Sequence, residues 1–158
     1  MSNISISGKE RRDFLTQEQR SKRMAKVRSR DTSPEMIVRR LAHRMHYRYR
    51  LHRHDLPGKP DLVFPGRRKV VFVHGCFWHG HNCSAGLNRP KTNKSYWVPK
   101  LERNRERDAE NQARLRKLGW QVLVIWECDL RDQDRLKRLL GSFLESRWTP
   151  RRRLPGRW

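Results

Sequence analysis

The segment that most narrows the choice of fold is Gln121-Val-Leu-Val-Ile-Trp126. Its apolar side chains occupy both parities, so a strand here needs cover on both faces, as in an α/β sheet. A second strand is written into Lys69-Val-Val-Phe-Val73. A third is Asp61-Leu-Val-Phe64, set between the break Leu56-Pro-Gly-Lys-Pro60 and the turn Pro65-Gly66. Pairing Phe64 with Val70 across that turn would bring Asp61 opposite Val73. Thr32-Ser33-Pro34-Glu35 supplies a capping hydroxyl and a first-turn proline, followed by Ile37, Val38, Leu41, Ala42 and Met45 at helical spacing. Tyr47–Leu51 reads as a short extended run and residues 74–97 as irregular. A charged helix is predicted from about Pro99 to Leu118, stopped by Gly119, and a last one from about Gln133 to Phe143. The order predicts a three-layer α/β body with a central mixed sheet flanked by helices.

The 158 residues suffice for one core. Around it lies a large cationic surplus, a formal charge of +22 with 34% charged residues. A polyanion must meet such a surface, and nucleic acid leads because each neutralised phosphate releases a condensed counterion. An anionic membrane surface is the competing partner, but no helix shows the large apolar face it would need. Nor is any apolar stretch long enough to span a bilayer. The first residues lack the apolar core of a secretory signal, and three cysteines cannot all pair within one chain, so a reducing cytoplasm is expected.

The organisation expected is a basic arm over 1–30, a body over 31–146 and a basic tail over 147–158. In the arm, Thr16-Gln-Glu-Gln19 reads as a capping box, yet only Met24, Ala25 and Val27 follow as apolar residues before Arg30. A helix so poor in core-forming residues is either held by an external anionic surface or is a solvated charged arm. The tail carries Pro150 and Pro155 and is expected to be disordered.

The densest chemistry is His74-Gly-Cys76-Phe-Trp-His79-Gly-His81-Asn-Cys83, joined much later by Cys128. Three thiols and one imidazole, Cys76, His81, Cys83 and Cys128, suit a tetrahedral zinc site that clips the loop to a strand end. Closed by four ligands, it would be structural. His74 and His79 stay outside it, available for proton or phosphate chemistry. Asp61, with the backbone carbonyl of Val73 nearby, offers the oxygen ligands that Mg²⁺ prefers. Glu35 reads as a helix-start carboxylate favoured by the dipole. Asp108 shares a helical face with Leu101 and Leu115, an inward acid that meets an arginine or serves the site. Phe77, Trp78 and Trp97 lie in irregular, basic surroundings that favour exposure.

Leu56-Pro-Gly-Lys-Pro-Asp61, His74-Gly-Cys-Phe-Trp-His79 and Val124-Ile-Trp-Glu-Cys128, in this order, closely resemble the very-short-patch repair DNA endonucleases. Arg20-Ser-Lys-Arg-Met24, Arg30-Asp-Thr32 and Glu106-Arg-Asp108 extend the resemblance over about residues 18–131. It implies a restriction-endonuclease-like fold, catalytic Mg²⁺ and structural Zn²⁺. It also implies nicking 5′ of the thymine in a T·G mismatch left by deamination of 5-methylcytosine. By resemblance, Asp61 is the metal-binding carboxylate, His79 the catalytic histidine and His74 a second active-site histidine. Glu35 and Asp108 match acids that order water around the metal and the histidines. Cys76, His81, Cys83 and Cys128 match the zinc ligands. Phe77, Trp78 and Trp97 match an aromatic wedge, and Met24 an intercalator from the arm. The superfamily's usual acid-x-lysine pair would fall near Val73-x-Gly75, where a carbonyl and histidines replace it. The implied setting is a bacterial cytoplasm at the nucleoid, with the chain a monomer and other mismatch-repair proteins as further partners.

Two other classes compete at this level: a zinc-stabilised nucleic-acid-binding module without catalysis, and a ββα-metal nuclease whose histidine cluster holds the catalytic ion.

Overall fold

The computed structural model describes residues 16, 18, 19, 22, 31–51, 53–88 and 93–147. Among the described residues, four helices and three strands make up the body: α1 Ser33–Arg44, β1 Leu62–Phe64, β2 Lys69–His74, α2 Ser84–Leu87, α3 Lys94–Lys117, β3 Gln121–Trp126 and α4 Gln133–Glu145. Single 3₁₀ turns cover Pro65–Arg67 and Glu127–Arg131. The sheet order is β1-β2-β3, with β1 antiparallel to β2 and β2 parallel to β3. This is the mixed sheet expected, and the long parallel crossover carries α2 and α3.

Alternation along the strands makes two cores. Leu62, Phe64, Val71 and Ile125 face Val38, Leu41 and Ala42 of α1 and Leu136, Leu140 and Leu144 of α4. On the opposite face, Val63, Val70 and Phe72 pack with Leu56, Leu115 and Trp120. The helix layers thus pack on both faces of the sheet, but in β3 only Ile125 is buried and the strand expected to be covered is otherwise half-buried. Lys69 at the start of β2 is only 1% exposed. Its Nζ donates to the Leu144 carbonyl and the Ser146 hydroxyl, both at 3.0 Å, which ties the hairpin to the end of α4.

Three expectations are corrected. Phe64 pairs with Lys69, not Val70. The Pro65–Arg67 turn ends at Arg68, whose φ of 54° returns the chain one residue early. Helix α3 begins at Lys94 rather than Pro99. Asn93, at φ 55°, starts it, and its carbonyl accepts the N–H groups of Tyr96 and Trp97 at 3.0 and 3.1 Å. Pro99 lies inside the helix, beyond its first turn, and so withholds one i→i−4 hydrogen bond. The segment expected to be irregular therefore holds the end of β2, all of α2 and the first turn of α3.

The capping box is present. Thr16 N–H donates to Gln19 Oε1 at 3.0 Å, and Gln19 N–H to Thr16 Oγ1 at 3.2 Å. Most of the basic arm, Met24 included, and all but the first residue of the basic tail lie outside the described residues. Among the described residues, no helix is long and apolar enough to cross a membrane.

Candidate active site and metal centre

Asp61 immediately precedes β1, and β2 runs on past β1's end. The shifted register leaves Asp61 off the position opposite Val73, yet its side chain makes the connection: Val73 N–H donates to Asp61 Oδ2 at 2.7 Å. A strand residue turns its N–H and C=O to the same side, so the Val73 carbonyl also faces the Asp61 side, beyond the last β1 partner. Gly58, at φ +73°, lets the loop before Asp61 lie against α3, where an added Cβ would come within 2.9 Å of the Asn111 Cβ.

A cleft of ≈ 980 Å³ opens here, lined by Glu35, Asp61, His74, His79 and Asp108 among others. All five expected active-site side chains therefore meet in one place, from α1, the β1 approach, β2, the following loop and α3. The His74 and His79 rings stack at 3.9 Å between centroids and 11° between planes. His79 Nδ1 is bonded to the Asp108 carboxylate. Donating there leaves Nε2 as the nitrogen free to accept or give a proton. Burial pushes His74 down to about 4, helped by the charge of His79, so this ring is neutral near pH 7. Burial pushes Asp61 up to about 6, with the Val73 N–H opposing the shift and Glu35 adding to it. The donor atoms of His74, His79 and Asp108 lie within 4.8 Å of one another.

Glu35 does more than favour a helix dipole. It is 5% exposed, accepts the Thr32 hydroxyl at 2.9 Å and the Asp31 N–H at 3.0 Å, and pairs with Arg39 at 2.9 Å. Asp108, read as an acid that meets an arginine or serves the site, meets His79.

The second cluster sits beside the first. Donor atoms of Cys76, His81, Cys83 and Cys128 lie within 4.8 Å of one another, and all three thiols are free of disulfides. His81 Nδ1 is 3.3 Å from Cys128 Sγ and 3.7 Å from Cys76 Sγ. Three sulfurs and one nitrogen so gathered fit a tetrahedral zinc ion, whose ligand atoms stand about 3.8 Å apart at normal bond lengths. Burial pushes the Cys76 thiol up to about 12. The Gly86 N–H, bonded at 3.4 Å, leads in drawing Cys83 down to about 7. Gly86 is required on α2, because a Cβ there would collide with the His81 carbonyl oxygen.

Phe77, Trp78 and Trp97 gather as one aromatic group, with centroids 5.0, 5.7 and 6.1 Å apart. Phe77 and Trp78 are half-buried. Trp97 is only 8% exposed, which corrects the expected exposure: the early start of α3 folds it under the other two.

Three site residues escaped the sequence reading. Trp126 stacks on His81 at 4.2 Å and meets His74 edge-on at 5.4 Å, joining the two clusters. Asn104 donates to the Trp78 carbonyl at 3.2 Å and so holds the aromatic loop. Arg39 pairs with Glu35. Helical spacing would have placed Arg39 with Glu35, while nothing local marks Asn104.

The family profile DNA mismatch endonuclease Vsr matches residues 12–85. The type II nicking enzyme V.XorIIP of Xanthomonas oryzae pv. oryzae is 52% identical over 133 residues, which is 84% of this chain and 97% of that protein. The DNA mismatch endonuclease Vsr of Escherichia coli K12 is 41% identical over 117 residues, 74% of each chain. Among solved structures, the catalytic domain of homing endonuclease I-Bth0305I shares the fold. Its TM-score is 0.51 at 21% identity, over 73% of this chain and 100% of that domain. With an α/β sheet, an acid- and histidine-lined cleft and relatives of this identity and coverage, the chain belongs to the Vsr family of DNA mismatch endonucleases.

Proposed function

We propose that the protein nicks one strand of duplex DNA on the 5′ side of the thymine in a T·G mismatch, the product of 5-methylcytosine deamination, by Mg²⁺-dependent hydrolysis. The observation that carries this reading is the joining, in one cleft, of Asp61 at the sheet edge to the stacked His74–His79 pair and its Asp108 partner. Asp61 and the Val73 carbonyl are oxygen donors on one side of β2, the type of ligand Mg²⁺ selects. When bound, that ion supplies charge neutralisation at the phosphate and activation of water. His79 moves the proton at Nε2, oriented by Asp108, and neutral His74 holds its ring in place by stacking. Glu35 adds a further carboxylate to the lining of the cleft.

Zn²⁺ is assigned to Cys76, His81, Cys83 and Cys128 as a brace for the loop bearing His79. The restriction-endonuclease-like fold is supported by the likeness to the homing endonuclease domain. Phe77 and Trp78 form the wedge, backed by Trp97, with Met24 entering from the arm. A mismatched step is easily unstacked, at a few kcal/mol, so rigid rings select it by deformability. One active site suffices for one strand, so a monomer acts, with the residue 1–30 arm and the 147–158 tail on DNA phosphates and the 31–146 body on the mismatch. Mismatch-repair proteins at the nucleoid take over the nick.

Incubation with end-labelled T·G and T·A duplexes, with and without Mg²⁺, tests the reading. A single nick 5′ of the thymine, confined to T·G with Mg²⁺, is expected. Absence of Mg²⁺-dependent nicking would refute it.

A further inference from the structure

Arg39 stands one turn beyond Glu35 on α1, and its side chain is only 6% exposed. Nη2 donates to Glu35 Oε2 at 2.9 Å, and Nη1 is bonded to the carboxylate of Asp31, itself 59% exposed. The remaining donor, Nε, is buried with no hydrogen-bond partner among the described residues. A buried guanidinium with an orphaned donor is expensive for a fold, and an apolar side chain in the same place would often be cheaper. Stability alone therefore does not explain Arg39.

Its surroundings do. Glu35 and Asp61 line the same cleft, and two carboxylates in one wall repel unless a cation stands behind them. Arg39 is that cation. It is buried behind Glu35, and its Nη2 shares Oε2 with the Asp31 N–H while the Thr32 hydroxyl holds Oε1. Through Asp31 it also reaches the point where the basic arm joins the body.

We propose that Arg39 is a positioning residue for strand nicking: it holds the Glu35 carboxylate in the cleft wall and ties that wall to Asp31, at the root of the arm. The inference rests on the nicking reaction proposed above. Arg39 acts through Glu35 and does not touch the scissile group.

The test is single-turnover nicking of a T·G duplex at saturating Mg²⁺, with DNA affinity and folding measured in parallel. Arg39→Gln is expected to lower the nicking rate roughly 10–100-fold, the usual cost of losing a group that orients a metal-site ligand, with DNA affinity unchanged. Arg39→Lys should recover part of the rate. In a Glu35→Gln background, Arg39→Gln should cost nothing more, which a merely structural arginine would not satisfy. An unchanged rate in Arg39→Gln, or a full additional loss in the double variant, would overturn the proposal. Should Arg39→Gln fail to fold, Asp31→Ala replaces it, since this removes the exposed acceptor that holds one arm of the guanidinium. A several-fold slower rate then supports the proposal, and an unchanged rate overturns it. Wild-type protein that does not nick with Mg²⁺ would instead overturn the underlying reading, and the proposal with it.

Discussion

Val73 donates its backbone N–H to Asp61 Oδ2 at 2.7 Å, just before β1 begins and where β2 runs on beyond its pairing with β1. This bond holds a carboxylate where burial opposes its charge, raising it from 3.8 to about 6. The folded protein thus binds a proton that the unfolded chain releases between those values. Stability from this group is fully present below about pH 3.8 and is lost as pH rises through about 6, leaving a cost of about 3 kcal/mol at neutral pH. Asp61→Asn keeps an acceptor for Val73 and removes that cost. Without divalent ions, it should raise the melting temperature by roughly 10 °C at pH 7.5 and change it little at pH 4. A lower melting temperature at pH 7.5 would contradict the assigned environment.

The same shift sets a competition between protons and the cation. At limiting Mg²⁺, the nicking rate should fall as pH drops below about 6. Raising Mg²⁺ should move that fall to lower pH. A fall insensitive to Mg²⁺ would assign the acid limb to a different group.

Zinc should be inseparable from the fold of the loop. Cys83→Ala removes one of four donors and exposes the N-terminus of α2, where the Cys83 sulfur accepts the Gly86 N–H. The expected outcome is loss of the single bound zinc and a melting temperature lower by on the order of 10 °C. A folded, DNA-binding variant that has lost only chemistry would favour a catalytic ion in this cluster.

The aromatic group should divide by burial. Phe77→Ala with Trp78→Ala should weaken discrimination of T·G from T·A more than general DNA affinity. Trp97→Ala, at a site 8% exposed, should cost about 3 kcal/mol of stability first. Chemical unfolding beside binding on matched and mismatched duplexes measures both. Equal loss on the two duplexes would count against the wedge.

Much of this was legible in residue order. The double apolar parity of β3 required a covered sheet, and Gly119 stops α3 at φ +81° as anticipated. The cysteine arithmetic led to the cluster that the fold assembles. Local rules failed where backbone geometry decides. Arg68 adopts a left-handed conformation and shifts the β1–β2 register by one. Asn93, likewise left-handed, starts α3 ahead of its proline and buries Trp97. Helical spacing pairs Arg39 with Glu35 and a motif contains Trp126, but neither says that one stands behind a cleft carboxylate and the other between two histidines. Their roles exist only once the elements pack.

The central claim is that Asp61 binds the ion that makes this cleft a nuclease. Mg²⁺-dependent nicking of a T·G duplex by wild type and Asp61→Ala, with affinity for that duplex measured alongside, tests it most directly. The account predicts a nick 5′ of the thymine from wild type, and background cleavage from a variant that still binds. Nicking by Asp61→Ala at the wild-type rate would contradict it.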